Sequence, residues 1–138
     1  MRVVLDVNVL ISAAITPRGE ARRILHQAET EYTLLLSDFI LRQVEQVLGY
    51  PHIQSHYSHM TKADIADYIA YLQETGDLII ETTVVDASPD PEDNRILAAA
   101  VDGQADYLVT GNLAHFPSAH GQTKILSLAA FRDLLSIK

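Results

Sequence analysis

Four polar residues lie where short apolar runs end or where a helix is predicted to begin. Asp6 directly follows one apolar run and Asn112 comes two residues after another, while Asp90 and Asp93 open a helical segment. The carboxyl ends of parallel strands share one edge of a sheet, so we expect these residues to converge there. Oxygen ligands of this kind suit Mg²⁺ or Mn²⁺. A cation at this edge could orient a water and stabilise charge on a phosphodiester.

Each of these residues also has an ordinary structural explanation. Asp6 could simply cap the turn that follows it. Asp90, with Pro91 next and Asp93 in the first turn, makes a good helix start. Residues 110–112 could form no more than a turn. Taken singly, the residues leave the metal site as a hypothesis.

Basic residues and one histidine offer candidate substrate contacts. Arg18, Arg22 and Arg23 follow a predicted break at residues 16–19 and could contact phosphates, although a solvated helix face explains them equally well. His115 lies three residues after Asn112 and could donate a proton to a substrate. It could instead hold its loop through the ring N–H.

Two further side-chain clusters have weaker functional interpretations. His52, His56 and His59 would share one helical face and could bind zinc or nickel, although scattered surface histidines are commoner. Tyr68 and Tyr71 could face a partner, although packing of an amphipathic helix is the simpler explanation.

Composition restricts the class of protein. The 138 residues are 48% hydrophobic and 20% charged, which predicts one globular domain over residues 1–138. The absence of cysteine excludes disulfides, thiolate zinc sites and thiol catalysis. A net charge of −8 excludes a broadly basic surface, so nucleic acid would need a local patch or a bound cation. An early carboxylate at Asp6 and short apolar runs lead us to expect a cytoplasmic protein without membrane contact.

The elements that would position these residues alternate along the chain. Apolar runs predict strands at 2–5, 32–36, 78–85, 106–110 and 124–126. Helical periodicity and capping signals predict helices at 9–14, 20–28, 38–48, 62–75, 94–102 and after Ser127. Alternating strands and helices indicate an α/β fold with a parallel sheet.

Three motifs, in order along the chain, resemble those of the PIN-domain family. They are Asp6-Val7-Asn8-Val9-Leu10-Ile11-Ser12, then Asp90-Pro91-Glu92-Asp93-Asn94, then Ala105-Asp106-Tyr107-Leu108-Val109-Thr110-Gly111-Asn112 with His115-Phe116-Pro117. The resemblance implies a three-layer α/β/α sandwich with a mostly parallel central sheet. It also implies an Mg²⁺- or Mn²⁺-dependent endoribonuclease, most often the toxin of a bacterial toxin–antitoxin pair. The partners that the resemblance implies are RNA, a small antitoxin protein and, in a possible homodimer, a second copy of this chain.

The resemblance assigns roles to individual positions. The family's first acid falls on Asp6 and its third on Asp93, which would hold the metal, with Asp90 close by. Asn8 and Ser12 are implied as supporting polar groups, and Thr110 matches a hydroxyl residue ahead of the last acidic position.

Two positions depart from the family's pattern. The second acid, usually Glu, falls on Gln43, and the fourth, usually Asp, falls on Asn112. Glu45 is no simple replacement, because positions 43 and 45 lie about 200° apart around a helix. We therefore expect at most one metal ion and a weak or absent activity.

Two alternatives stay open. The first is a PIN fold that has lost catalysis and binds RNA or a protein instead. The second is a phosphoaspartate hydrolase in which Asp6 attacks phosphorus. Such an enzyme needs a lysine near the phosphate, and the chain offers Lys62, Lys124 and Lys138.

Overall fold

A computed structural model describes residues 1–57 and 59–136. The strands are β1 (Arg2–Leu5), β2 (Thr33–Ser37), β3 (Asp77–Ile79), β4 (Tyr107–Thr110), β5 (Ala119–His120) and β6 (Thr123–Ser127). The helices are α1 (Val7–Ile15), α2 (Glu20–His26), α3 (Asp38–Leu48), α4 (Pro51–His56), α5 (Lys62–Thr75), α6 (Pro91–Asp102) and α7 (Leu128–Ser136), with a 3₁₀ turn at Leu113–His115.

The strands form one sheet in the order β3-β2-β1-β4-β6-β5. All neighbouring pairs are parallel except β5 with β6. The chain moves outward from β1 through β2 to β3, and then returns to the other side of β1 to add β4. In parallel α/β sheets, ligands bind outside the carboxyl ends of the strands where the strand order reverses in this way. In this sheet that point lies between β1 and β4.

Both faces of the sheet are covered. Val3, Val4 and Leu5 are completely buried, and so are Leu34 and Leu35. Because successive side chains of a strand point to opposite faces, full burial of consecutive residues requires packing on both sides. The predicted α/β fold with a mostly parallel sheet is confirmed. None of the helices in residues 1–57 and 59–136 combines the length and apolarity needed to cross a bilayer.

The predicted strand at 78–85 is largely wrong. Only Asp77–Ile79 pairs with the sheet, and Val84 is 93% exposed. The Asp102 carboxylate accepts hydrogen bonds from the backbone N–H groups of Thr82 and Thr83, at 2.6 and 3.0 Å. These amides bond to a helix side chain instead of to a neighbouring strand, so the segment leaves the sheet.

The start of α1 differs from its predicted position, whereas the start of α5 agrees with it. Helix α1 begins at Val7, two residues before the prediction, because the Asp6 side chain accepts a hydrogen bond from the Val7 N–H. Helix α5 begins with the predicted capping box, in which Thr61 and Asp64 bond to each other's backbone N–H groups.

Candidate active site

Asp6 lies at the carboxyl end of β1, beside the end of β4. Its backbone N–H donates to the Val109 carbonyl at 2.8 Å, which fixes it against β4. Its Oδ1 accepts from the Val7 N–H at 2.8 Å and its Oδ2 accepts from the Thr110 hydroxyl at 2.7 Å. The residue is only 7% exposed. Burial raises the pKa of Asp6, and the hydrogen bonds from Thr110 and Val7 oppose that rise.

The turn after β4 is attached to the same carboxylate. Thr110 is completely buried, and its hydroxyl oxygen also accepts a hydrogen bond from the Asn112 N–H at 3.0 Å. The Asn8 side-chain oxygen accepts from the Gly111 N–H at 3.3 Å, which joins the first turn of α1 to this turn. Thr110 and Asn8 therefore lie beside Asp6, as the resemblance implies.

The first turn of α6 brings a second carboxylate to this edge. Asp90 caps the helix by accepting from the Glu92 N–H at 2.9 Å. Asp93 Oδ2 is buried and has no hydrogen-bond partner within the described chain. Burial raises the pKa of Asp93, and the charges of Asp90 and then Asp6 raise it further. Asp6 follows β1 and Asp93 lies in the first turn of α6, so both acids are at the carboxyl edge of the sheet although 87 residues separate them in the sequence (93 − 6 = 87).

His115 lies on the exposed side of these acids. Its Nδ1 is 4.0 Å from Asp93 Oδ2, and 57% of its side chain is exposed. The Asn112 amide nitrogen lies 3.2 Å from the imidazole nitrogens. The positive form of His115 lowers the pKa of both Asp6 and Asp93. A recess of about 360 Å³ opens here, lined by Ser88, Pro89, Asp90, Asp93, Ala114 and His115.

Asn94 and Ser88, for which no role was predicted, hold the loop before α6. The Asn94 side-chain oxygen accepts from the N–H groups of Ala87 and Ser88, at 3.0 and 2.8 Å, and its amide donates to the Ser88 carbonyl at 2.9 Å. The buried Ser88 hydroxyl accepts from the Asp90 N–H at 3.2 Å and donates to the His115 carbonyl at 3.3 Å. The only signal in the sequence is that Asn94 adjoins Asp93, which is too general to identify such a network.

The arginines of the α1–α2 junction lie away from the acids. The Arg22 Nε donates to the Ala13 carbonyl and one terminal nitrogen donates to the Ala14 carbonyl at 2.9 Å, so Arg22 caps the end of α1. Arg23 donates to the Arg18 carbonyl at 3.1 Å. Helix α1 has nine residues and is therefore about 13 Å long, which separates this junction from Asp6.

The remaining candidates occupy helices. Ser12 lies half-buried in α1 and Gln43 half-buried in α3. Glu45 lines a recess with Lys62 and Ile65 of α5.

The other chemistries considered find no support. Lys124 pairs with Tyr107 at the amino-terminal end of β6, whereas Ser127 of β6 pairs with Thr110 at the edge of Asp6. Lys62 begins α5, and Lys138 lies outside the described residues. Within residues 1–57 and 59–136, no three or more His, Cys, Asp or Glu side chains are grouped to hold a metal ion. His52, His56 and His59 therefore do not form a zinc site, and among the described residues the acids at the sheet edge likewise supply fewer than three such ligands to one point.

The donor set at the sheet edge suits one hard cation. It contains two carboxylates, Asp6 and Asp93; the charge of Asp6 contributes to the raised pKa of Asp93, and Asp93 leaves a buried oxygen without a hydrogen-bond donor in the described chain. Mg²⁺ is commonly bound through one or two carboxylates and several waters, and the amide oxygen of Asn112 is a further neutral ligand. A divalent cation would relieve this repulsion, whereas a second ion would lack compensating charge.

Comparison with known proteins agrees with this geometry. A family model described as "PIN domain" matches residues 2–114. The fold is similar to a chain in the crystal structure of VapBC2 from Rickettsia felis bound to a DNA fragment from their promoter, with a TM-score of 0.64 and 13% identity over 92% of this chain and 98% of that chain. No curated protein sequence matches significantly. Since the family match covers most of the sequence, this chain belongs to the PIN-domain family.

Proposed function

We propose that this protein is a divalent-cation-dependent endoribonuclease that hydrolyses phosphodiesters of single-stranded RNA. The observation that carries the proposal is that Asp6 and Asp93 lie at the sheet edge where the strand order reverses, with one Asp93 oxygen buried and without a hydrogen-bond partner in the described chain. Ionised carboxylates are costly to bury together unless a cation or a proton compensates them. Membership of the PIN-domain family supports the same chemistry.

Asp6 and Asp93 would hold Mg²⁺ or Mn²⁺, with Asn112 and Asp90 contributing directly or through water. When bound, the cation supplies Lewis-acid polarisation of the phosphate and compensates the charge that builds up on it. Thr110 and the Val7 N–H orient the Asp6 carboxylate. Asn8 fixes the turn that carries Asn112, and Ser12 and Gln43 are assigned supporting polar roles.

Hydrolysis adds water across one P–O bond, so a proton has to reach the departing ribose oxygen. His115 is exposed, ionisable and 4.0 Å from Asp93, which suits it to contact the substrate and deliver that proton. The net charge of −8 makes the bound cation important for accepting a polyanion near these acids. Arg18 and Arg23 are assigned to more distant phosphates, while Arg22 is engaged in capping α1.

A toxin role in a toxin–antitoxin pair is part of the proposal. Its support is the family membership together with the shared fold of VapBC2. The role implies a cytoplasmic location, a small antitoxin protein as partner and a possible homodimer. Expression of this chain alone should arrest growth of a bacterial host, and co-expression with a small protein encoded beside it should restore growth. Normal growth with catalytically active protein would contradict the toxin role.

A second candidate is a PIN fold that binds RNA or protein without cutting. Gln43 and Asn112 favour it, because both are uncharged where the family's pattern places acids. The phosphoaspartate hydrolase has less support, since Lys124 lies at the end of β6 away from the Ser127–Thr110 pair beside Asp6.

Cleavage of a labelled single-stranded RNA distinguishes the two candidates. Wild type, Asp6→Asn, Asp93→Asn and Gln43→Glu are each incubated with EDTA, Mg²⁺ or Mn²⁺. We expect cation-dependent cutting by wild type, loss of cutting in both aspartate variants, and faster cutting by Gln43→Glu. A silent wild type with an active Gln43→Glu variant would indicate a decayed site. RNA binding without cutting by any of the four would support the binding module.

A further inference from the structure

Two contacts fix the position of Arg95, which follows Asp93 by two residues in α6. The centre of its guanidinium group is 4.3 Å from the centroid of the Phe39 ring. Its Nε lies 2.7 Å from Glu81 Oε2, in an ion pair. These two contacts hold the guanidinium group against the aromatic ring, and 46% of the Arg95 side chain still remains exposed.

This cluster lies at the same sheet edge as the candidate active site. Phe39 is the second residue of α3, directly after β2, and Glu81 comes two residues after the end of β3. Arg95 is two positions beyond Asp93 in α6. Residues two apart in a helix point about 200° apart, so Asp93 and Arg95 project on opposite sides of the first turns of α6. A polymer that crosses the start of α6 would therefore touch both.

Open space is present around Arg95. Arg95 and Glu81 line two neighbouring recesses, of about 170 and 290 Å³. The other walls include apolar side chains, namely Val84, Val85 and Pro91 in one recess and Leu78, Ile79 and Ile80 in the other. These recesses leave room for a flat group beside the Arg95 side chain.

We propose that Arg95, supported by Phe39 and Glu81, is a stacking subsite for one unpaired base of the RNA. Unpaired bases stack on aromatic rings and on guanidinium planes. Because the ion pair with Glu81 offsets the charge of Arg95, the planar surface of its guanidinium group contributes more to RNA binding than attraction to phosphate does. Stacking of this kind tolerates every base, so the subsite positions the strand without selecting a sequence. The inference rests on the proposed RNA substrate.

The test uses a single-stranded RNA that carries 2-aminopurine, whose fluorescence falls when the base stacks. Binding is measured in Mg²⁺ with Asp93→Asn protein as the parent, so that the RNA stays intact. The substitutions below are added to this parent. Arg95→Lys keeps the positive charge and removes the plane. We expect at least about fivefold weaker binding and loss of the fluorescence decrease, with a larger loss of up to roughly 150-fold for Arg95→Ala.

Arg132→Lys is a matched control. Arg132 also lies 2.7 Å from a glutamate, Glu20, and its side chain is 51% exposed, but it lies on α7. The Arg132→Lys variant should bind RNA as tightly as the parent protein and reduce the 2-aminopurine fluorescence to the same extent. Phe39→Leu removes the ring behind Arg95 and should weaken binding in the same direction as Arg95→Lys, with thermal unfolding used to verify that each variant is folded.

The inference is overturned if Arg95→Lys binds RNA and reduces the fluorescence as well as the parent protein does. It is also overturned if Arg132→Lys loses as much RNA affinity as Arg95→Lys does, or if the parent protein binds no RNA. A parent that shows the Arg95-dependent fluorescence decrease, while wild type never cuts RNA, would contradict the nuclease proposal and leave the stacking subsite supported.

Discussion

The Thr110 hydroxyl donates a 2.7 Å hydrogen bond to Asp6 Oδ2, and the two residues are 104 positions apart in the sequence. Both side chains are buried, so this bond is shielded from competing water. It stabilises the charged form of a carboxylate that burial would otherwise drive towards protonation. The same hydroxyl also accepts from the Asn112 N–H, so one atom fixes two parts of the candidate site.

Thr110→Val removes this donor with little change in shape. We expect the pKa of Asp6 to rise further and the free energy of unfolding to fall by about 1–3 kcal/mol, because a buried charged acceptor loses a partner. The lower limb of the pH profile of cleavage should move to higher pH. Urea denaturation and initial cleavage rates measure these effects. Thr110→Ser keeps the hydroxyl and is the control, and equal behaviour of the two variants would contradict the assigned role.

Asp93→Asn should stabilise the cation-free protein at neutral pH. In the folded state the pKa of Asp93 is raised above its ordinary value of 3.8. A carboxylate with a raised pKa penalises folding when it is ionised, so wild type gains stability as pH falls from above that pKa towards 3.8. Unfolding by urea in EDTA, between pH 4 and pH 8, measures the difference.

The advantage of Asp93→Asn over wild type should therefore be largest at high pH and shrink as the solution becomes acidic. Added Mg²⁺ should stabilise wild type more than the variant, since only wild type retains both proposed ligands. A variant that is less stable than wild type at pH 7 in EDTA would contradict the cost of ionising Asp93 that burial, Asp90 and Asp6 impose.

Much of the scaffold was predictable because each element carries its own local signal. Strands β1, β2 and β4 are short apolar runs, and the Thr61–Asp64 capping box locates the start of α5 to the residue. The nearness of Asp6 and Asp93 follows from parallel topology alone, since both lie where elements meet the carboxyl edge.

The features that the sequence did not predict depend on distant or common partners. Residues 80–85 have the composition of a strand, but Asp102, 20 residues after Thr82, binds their amides. The bonds of Ser88 and Asn94 are made by ordinary polar side chains whose partners are backbone groups. Arg22 follows a predicted loop break, and only the folded α1 shows that its guanidinium caps two carbonyls.

Asn94→Ala should loosen the loop that carries Asp90. Three hydrogen bonds to Ala87 and Ser88 are lost, and we expect the free energy of unfolding to fall by about 1–2 kcal/mol. Hydrogen exchange of the Ala87 and Ser88 amides should accelerate, and cleavage should slow because the acids are less well positioned. Asn94→Asp keeps the two acceptor contacts and should protect these amides better than Asn94→Ala. Unchanged exchange in Asn94→Ala would show that the loop is held by other contacts.

Arg22→Met should lower stability without weakening RNA binding. Arg22 caps the Ala13 and Ala14 carbonyls, and the loss of bonds from a charged donor costs about 1–3 kcal/mol. Arg18→Ala is the comparison, since Arg18 is exposed and should leave stability nearly unchanged. Thermal unfolding and RNA titration separate the two effects. Weaker RNA binding by folded Arg22→Met would restore Arg22 as a phosphate contact.

The pKa of the Asp102 carboxylate should be low, and this can be measured directly. Hydrogen bonds from Thr83 and Thr82 lower the pKa of Asp102 to about 2. A lowered carboxylate pKa stabilises the fold above 3.8, and this contribution is lost as pH falls towards 2. An NMR titration of the side-chain carboxyl should find this midpoint. In Thr83→Val the midpoint should move upward, whereas Thr75→Val should leave it unchanged.

The central position of β1 determines when the site can exist during synthesis. The first strand to leave the ribosome packs between β2 and β4, and β4 supplies the partner of Asp6 only after residue 110 has emerged. A nascent chain that ends before β4 has Asp6 but neither its hydroxyl donor nor the adjoining turn. Because domains fold as their segments become available, the site cannot be completed before β4 has been synthesised.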